Sequence, residues 1–251
     1  MVASVAVLSD IHGVAPALDA VLGDPALLAA DHIVVTGDLA SGPQPIDVLD
    51  RLVTLGGNVT MIRGNADREL VSLARGEPIE IPDDVSSWAT HQLGEHHVDL
   101  LAGLPETVTL DIDGFGPVLF CHATPRSDSD VVLVDSSVGR WTSASAAVAD
   151  EVGTVVCGHT HMPFMRLVDR RLVINPGSVG MPYGRAGGHW ALLHDGSTTF
   201  HRAEFDLDAA VSTVIDGSAY PDREEWASYF VRAQAGDVEA IDAFTPADDR
   251  R

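Results

Sequence analysis

The sequence predicts an α/β protein built on a parallel or mixed sheet, with a small helical lobe and a helical C-terminal tail. Three observations predict it. Short β-branched runs recur along the chain, each with a turn signal behind it. Helical patterns separate the first three runs, the alternation expected of βαβ units. Two stretches, residues 67–104 and 205–251, abandon the strand pattern for a helical one.

The runs are "VASVAVLSD", "HIVVTGD", "NVTMIRGN", "PVLFCHA", "TVVCGHT" and "RLVINPGS". They are nearly continuously apolar, as befits strands covered on both faces. "APALDAVLGDPALLAA" places Leu18, Val21 and Leu22 at helical spacing, and "PQPIDVLDRLVTLGG" opens on prolines and closes on a Gly pair. Within 67–104, "DRELVSLARGE" and "DVSSWATHQLGEHHVDLLAGLP" read as two or three helices forming a lobe over one end of the sheet. Strands return from Glu106, and "HWALLHDGSTTFHRAEF" reads as a hairpin turning at Asp195 and Gly196. The division expected is a main domain over 1–204, with the lobe inside it, and an extension over 205–251. In that extension "DLDAAVSTVIDGS" has an Asp N-cap and a Gly stop, while "PDREEWASYFVRAQAG" has Pro and acids in its first turn. Trp226 and Phe230, four apart, make an apolar stripe that must be covered by its own domain or by a second copy, so a homodimer is one expectation. The end, "TPADDRR", is expected to fray.

The net charge is −22, from 37 acidic and 15 basic residues. Such a field repels phosphate backbones, which excludes nucleic-acid binding by the general surface. An anionic substrate needs a local source of positive charge, and bound divalent cations supply one. The two cysteines, Cys121 and Cys157, each end an apolar run and are expected to be reduced packing residues. "MVASVAVLSD" lacks the basic leader and long apolar run of a signal peptide, and no segment is long enough to span a bilayer. A cytoplasmic protein without membrane association is the expectation.

Each polar cluster falls just after a predicted strand: Asp10 and His12 in "LSDIHG", Asp38 in "VTGDLASGP", Asn65 and Asp67 in "IRGNAD", His122 in "FCHATPR", His159 and His161 in "CGHTH". Ligands in open α/β sheets bind at the carboxyl ends of strands, so these loops can converge. Imidazoles, carboxylates and an amide oxygen suit Mn, Fe, Ni, Co or Zn. The set exceeds one tetrahedral ion and suits two ions sharing a carboxylate. Strand alternation is expected to turn Asp10 and His12 the same way, and likewise His159 and His161. Gly37, Gly64 and Gly158 would let the backbone bend and approach the ions closely.

The ordered set "DIHG", "GDLASGP", "GNAD", "CHATP", "GHTHMPF" and "NPGSVGMP", over about residues 5 to 182, resembles the calcineurin-like metallophosphoesterase superfamily. More narrowly it is similar to the bacterial and archaeal branch of small phosphodiesterases and phosphatases with a GNxD motif. The resemblance implies two facing mixed β-sheets flanked by helices, with two divalent metals, Mn favoured, at the strand ends. It implies that Asp10, His12 and His161 hold the first metal, that Asn65, His122 and His159 hold the second, and that Asp38 bridges. Asp38, Asn65, His122 and Asp67 are the residues it assigns to catalysis. The implied reaction is hydrolysis of a small phosphate ester, a bridging water attacking phosphorus in line. Where many relatives carry a phosphoryl-contacting His after the Asn, this chain has Ala66. Asp67, which orients that His in the family, is left to bind a water or cap the helix that follows.

Arg126 is a candidate for substrate phosphate, against a surface pairing with Asp128 or Asp130. Tyr183 and Arg185 stand similarly. His91, with Trp88 on the same helical face, is a candidate wall of the substrate cleft, against core packing. Asn175 reads as a turn residue below the site, and Glu95, His96 and His97 as a solvated helix face. A second functional reading is a metal-binding protein-interaction scaffold with weak catalysis, for which Ala66 and the acidic tail speak.

Overall fold

A computed structural model of the chain describes residues 1–79 and 84–245. The segment "PADDRR" at the end, expected to fray, lies outside the described residues. The elements in chain order begin with β1 (Ser4–Leu8), α1 (Ala15–Leu22), α2 (Pro25–Leu28), β2 (His32–Val35), α3 (Pro45–Thr54) and β3 (Val59–Met61). There follow α4 (Asn65–Ala74), α5 (Asp84–Gln92), α6 (Glu95–Ala102), β4 (Thr107–Ile112), β5 (Gly116–Cys121), α7 (Val138–Ala144) and β6 (Thr154–Val156). The chain closes with β7 (Phe164–Val168), β8 (Arg171–Asn175), β9 (Gly188–His194), β10 (Ser197–Ala203), α8 (Leu207–Gly217), α9 (Arg223–Phe230) and α10 (Asp237–Phe244).

Two five-stranded sheets result, ordered β10-β9-β1-β2-β3 and β4-β5-β6-β8-β7. In the first, β1, β2 and β3 run parallel, β9 pairs antiparallel with β1, and β10 pairs antiparallel with β9. In the second, β5, β6 and β8 run parallel, with β4 and β7 antiparallel at the edges. Both sheets are therefore mixed, as the resemblance implies.

The apolar continuity of the strands follows from this layering. Val5 and Val7 of β1 join Val34, Val118, Phe120, Val156 and Ile174 in a core between the sheets. Ala6 and Leu8, alternating with them, face the helices with Leu18, Leu49, Leu70 and Trp190. A third cluster closes the outer face of the second sheet, where Trp141 of α7 packs with Val155, Val173 and Phe164. Cys121 and Cys157 are free and buried there, as expected. The β9–β10 hairpin turns at Asp195 and Gly196, both in the left-handed region, with φ of 49° and 68°.

The helical stretches are not appendages. Val85 and Ala89 of α5 and Leu101 of α6 belong to the same core cluster as β1 and β2. So do Val211 and Val214 of α8, Tyr220, Trp226 and Val231, which cover the apolar stripe of the tail with its own domain. Trp88 packs against Tyr220 in a tilted ring contact at 5.6 Å and so joins lobe to tail. Among the described residues no helix is long and apolar enough to cross a membrane.

Trp226 is 8% exposed and lies 4.8 Å from the Phe230 ring. Trp226→Ala should cost about 3–5 kcal/mol of stability, read as a lowered urea midpoint. An unchanged midpoint would mean that the tail contributes nothing to the core.

Candidate metal centre

The predicted ligand-type residues follow the carboxyl ends of parallel strands, in loops except for Asn65, the first residue of α4. The loops are joined by backbone hydrogen bonds that continue the sheets beyond their last paired residues. Asp10 donates its N–H to Gly37 O and His12 its N–H to Asp38 O, both at 3.0 Å, and Gly158 donates to His122 O. Two groups of side chains form within this frame, Asp10–His12–His161 and Asp38–His122–His159, with the ligand atoms of each within 4.8 Å of one another.

Asp10 and His12 turn the same way as expected, but not through strand alternation, and His159 and His161 turn to different groups. β1 ends at Leu8 and β6 at Val156, so none of the paired residues lies in a strand. Asp10, His12, Asp38, His159 and His161 instead adopt left-handed backbone, with φ of 54°, 48°, 54°, 66° and 57°. Such conformations are costly for side chains other than glycine's and persist where surrounding structure enforces them. The consequence for the GHTH motif is a division of labour: His161 joins Asp10 and His12, while His159 joins Asp38 and His122.

Close approach explains the glycines. A Cβ at Gly64 would lie 2.1 Å from Asp38 Oδ1, and one at Gly158 would lie 1.9 Å from Ser9 Oγ and 2.7 Å from Asp10 Oδ2. Neither position can hold a side chain while the loops stay where they are.

The orientation of the imidazoles tests whether the site fits metal ions. His12 Nδ1 lies 3.0 Å from Ser41 O, His122 Nδ1 2.8 Å from Thr36 O and His161 Nδ1 2.9 Å from Met181 O. A carbonyl only accepts, so each Nδ1 carries a proton and each ring aims its Nε2 inward, where it offers a lone pair whenever the ring is neutral. His12 Nε2 and His161 Nε2 are 3.2 Å apart. Two lone pairs at that distance repel unless a cation lies within reach of both. Asp38 Oδ2 is 3.6 Å from His12 Nε2 and 3.3 Å from His122 Nε2, so this one carboxylate oxygen faces both groups. Asn65 Oδ1 lies 3.1 Å from His122 Nε2 and adds an amide oxygen to the second group. The donor set fits two borderline divalent cations.

The electrostatics agree. Burial opposes ionisation of Asp38, yet His122, by charge and hydrogen bonding, holds its carboxyl well below the usual range. Burial likewise opposes charge on His122, and Asp38 overrides it, pushing His122 up to about 10. His159 is pushed down to about 4 by burial and by the neighbouring His122. A field that draws a proton onto His122 attracts any cation.

The other predicted residues separate clearly. Asp67 is fully buried and accepts from three backbone amides: Asp38 N at 2.8 Å, Leu39 N at 2.9 Å and Gly64 N at 2.9 Å. It caps α4, one of the two roles the sequence leaves it, and holds the Asp38 loop. Burial and the Asp38 charge raise its carboxyl to about 7. Arg126 donates from Nε to Asp130 Oδ2 at 2.6 Å, the surface pairing instead of the phosphate contact. His91 is exposed on α5 and lines a groove of about 600 Å³ with Leu73, Arg75, Thr90 and Glu95. That groove contains none of the ligand-type residues, so the structure does not bring His91 to the metal centre. Asn175 is the turn residue expected, accepting from Gly177 N at 2.9 Å and donating to Gly158 O at 2.6 Å. His97 Nδ1 accepts from Gly94 N at 3.3 Å in a helix cap, which leaves its Nε2–H for exposed Asp50.

Sequence reasoning missed Glu69. Its Oε1 accepts from Asn65 Nδ2 at 3.4 Å, which turns the Asn65 oxygen toward His122. The i, i+4 spacing on α4 was the available signal. The carbonyls of Thr36, Ser41 and Met181 had no side-chain signal at all.

Residues 4–197 match the calcineurin-like phosphoesterase superfamily domain, and the chain belongs to that family. Among curated proteins it is 27% identical to the phosphodiesterase YfcE of Escherichia coli K12 over 194 residues, 74% of this chain and 84% of that one. Its fold is that of PH1004 from Pyrococcus horikoshii, with a TM-score of 0.77 at 21% identity over 91% of this chain and 98% of that one. A metallophosphoesterase from Sphaerobacter thermophilus superposes with a TM-score of 0.70 at 22% identity, over 91% and 99% of the two chains.

Asp67→Ala would strand three buried amides at about 1–3 kcal/mol each. The variant should lose about 3 kcal/mol or more in urea denaturation; a native midpoint would show that Asp67 positions nothing.

Proposed function

We propose that this chain is a dimetal-dependent hydrolase of phosphate esters, a phosphodiesterase or phosphatase acting on a small substrate. The observation that carries the reading is the Asp38 oxygen facing both imidazole groups, 3.6 Å from His12 Nε2 and 3.3 Å from His122 Nε2. Asp10, His12 and His161 would hold one cation, Asn65, His122 and His159 the other, with Asp38 between them; Mn²⁺ is the favoured ion. Bound there, two divalent cations would offset phosphoryl charge and lower the pKa of water to the neutral range.

The chain's own residues supply position and charge. Asp38 is kept ionised by its imidazole neighbours and aimed by Ala66 N–H, which donates to its Oδ1 at 2.9 Å. The backbone N–H of His159 meets both oxygens of Asp10 at 3.1–3.2 Å, restricting that carboxylate to one orientation. Ala66 is buried at the start of α4 and has no group to protonate a leaving oxygen. A well-placed general acid is worth about 10² to 10⁴ in rate, so leaving groups that are already stable anions should be favoured.

The test is kcat/KM for a series of substituted aryl phosphodiesters with added Mn²⁺, in the native chain and in Ala66→His. The native chain should show a steep decline as leaving-group pKa rises, and Ala66→His should flatten it. A flat dependence in the native chain would contradict the role given to Ala66. Asp38→Asn should abolish turnover and lower metal content together, whereas His96→Ala should change neither. Full turnover in Asp38→Asn would remove the bridging assignment, and no turnover by the native chain with any divalent metal would favour the scaffold reading.

A further inference from the structure

Beside the metal centre runs a groove of about 450 Å³ that the reaction described so far leaves unused. Its apolar walls are Met162 and Phe164, from the loop and strand after His161, Tyr183 from the loop after β8, and Ile241 from α10. The groove adjoins the ligand set. Met162 follows His161 in the chain, the Tyr183 ring lies 5.9 Å from the His161 ring, and His161 Nδ1 is held by Met181 O two residues before Tyr183. α10 flanks the same edge, with the Phe244 ring 6.2 Å from the ring of His159. Ile241 and Phe244 lie outside the family-matched residues 4–197, so the C-terminal extension contributes to this wall.

The groove also carries a cationic group. All 15 basic residues of the chain are arginine, set against 37 acids. Arg51, Arg63, Arg68, Arg126, Arg140 and Arg232 are engaged with carboxylates. Arg185 lines the groove exposed, and among the described residues its guanidinium has no carboxylate or carbonyl partner. The other charged or titratable groups facing the groove are Asp237, whose Oδ1 accepts from Val238 N at 3.0 Å, and His189, whose Nε2 is taken by Arg185 O at 2.9 Å.

We propose that this groove is the leaving-group subsite of the phosphoesterase, receiving a flat apolar ring between Tyr183, Met162 and Ile241 and a further anionic substituent on Arg185. A phosphoryl group at the metal centre has its ester oxygen directed along one side, and the groove lies beside the His161 half of that centre. Aromatic and thioether side chains supply a face for a planar ring. A guanidinium with free N–H groups supplies a bidentate contact for a carboxylate or a second phosphate. In a chain of charge −22, an unpaired arginine beside a site for anions discriminates strongly for ligands carrying that second charge. The substrate class that follows is a phosphodiester or monoester whose leaving group is an anionic aromatic or heteroaromatic moiety, such as a further-phosphorylated nucleoside.

This inference rests on the phosphoesterase reading, and its test is a binding measurement so that the two can fail separately. Calorimetry on the full chain loaded with Mn²⁺ compares methylphosphonate, phenylphosphonate and 4-carboxyphenylphosphonate, none of which is a substrate. The native chain should bind the phenyl compound on the order of tenfold tighter than the methyl compound, and the carboxyphenyl compound tighter again. Ile241→Trp, which fills the groove, should collapse the phenyl-to-methyl ratio, and Arg185→Gln should collapse the carboxyphenyl-to-phenyl ratio. Equal affinities for all three in the native chain, or variants that leave both ratios unchanged, would overturn the subsite. A chain that shows the ratios but hydrolyses no ester would keep the subsite and overturn the hydrolase. Turnover without the ratios would do the reverse.

Discussion

The buried carboxylate of Asp38 is the point to which both halves of the site are tied. One of its oxygens faces His12 and His122, the other accepts from Ala66 N, its own N–H is taken by Asp67, and its carbonyl accepts from His12 N. A charge removed from water in this way is costly unless every neighbour compensates it. The neighbours come from β1, β2, β3 and β5, so the carboxylate is stable only if both sheets are assembled and in register. Folding and site formation are thus one event, and the left-handed backbone of Asp10, His12, Asp38, His159 and His161 is held by the same assembly.

Much of this was legible before any coordinates. Runs such as "VASVAVL" read correctly as strands because both faces of β1 are buried, which leaves no polar alternation to confuse with a surface strand. The ligand-type residues were legible as types, since histidines and aspartates after successive strand ends have few structural uses in common. Their local geometry was not. Alternation along a strand places Asp10 with His12 and His159 with His161, but the real arrangement depends on positive φ angles that no propensity predicts for Asp or His. The hydrogen bonds that fix the imidazoles end on backbone carbonyls, which every residue has. β7 was masked by the conspicuous "GHTHMPF" motif that it directly follows, sharing Phe164, and α7, a single short helix capped by Ser137, was hidden in a Ser- and Ala-rich stretch without strong periodicity.

The tail illustrates a different limit. Its apolar stripe was readable, and the need for cover followed, but periodicity does not say what provides the cover. Here the cover is the chain's own core, through Tyr220, Trp226 and Val231. The strongly acidic surface also acquires a meaning in this arrangement. Under the proposed function, anionic substrates would be repelled by the general surface and admitted where bound cations and Arg185 would face them.

Two cations flanking Asp38 are the centre of this account. Crystals grown with Mn²⁺ and measured at the manganese edge would locate them directly. The account predicts two anomalous peaks about 3.5 to 4 Å apart, one among Asp10, His12 and His161 and the other among Asn65, His122 and His159. A single peak, or none, under saturating metal would contradict it.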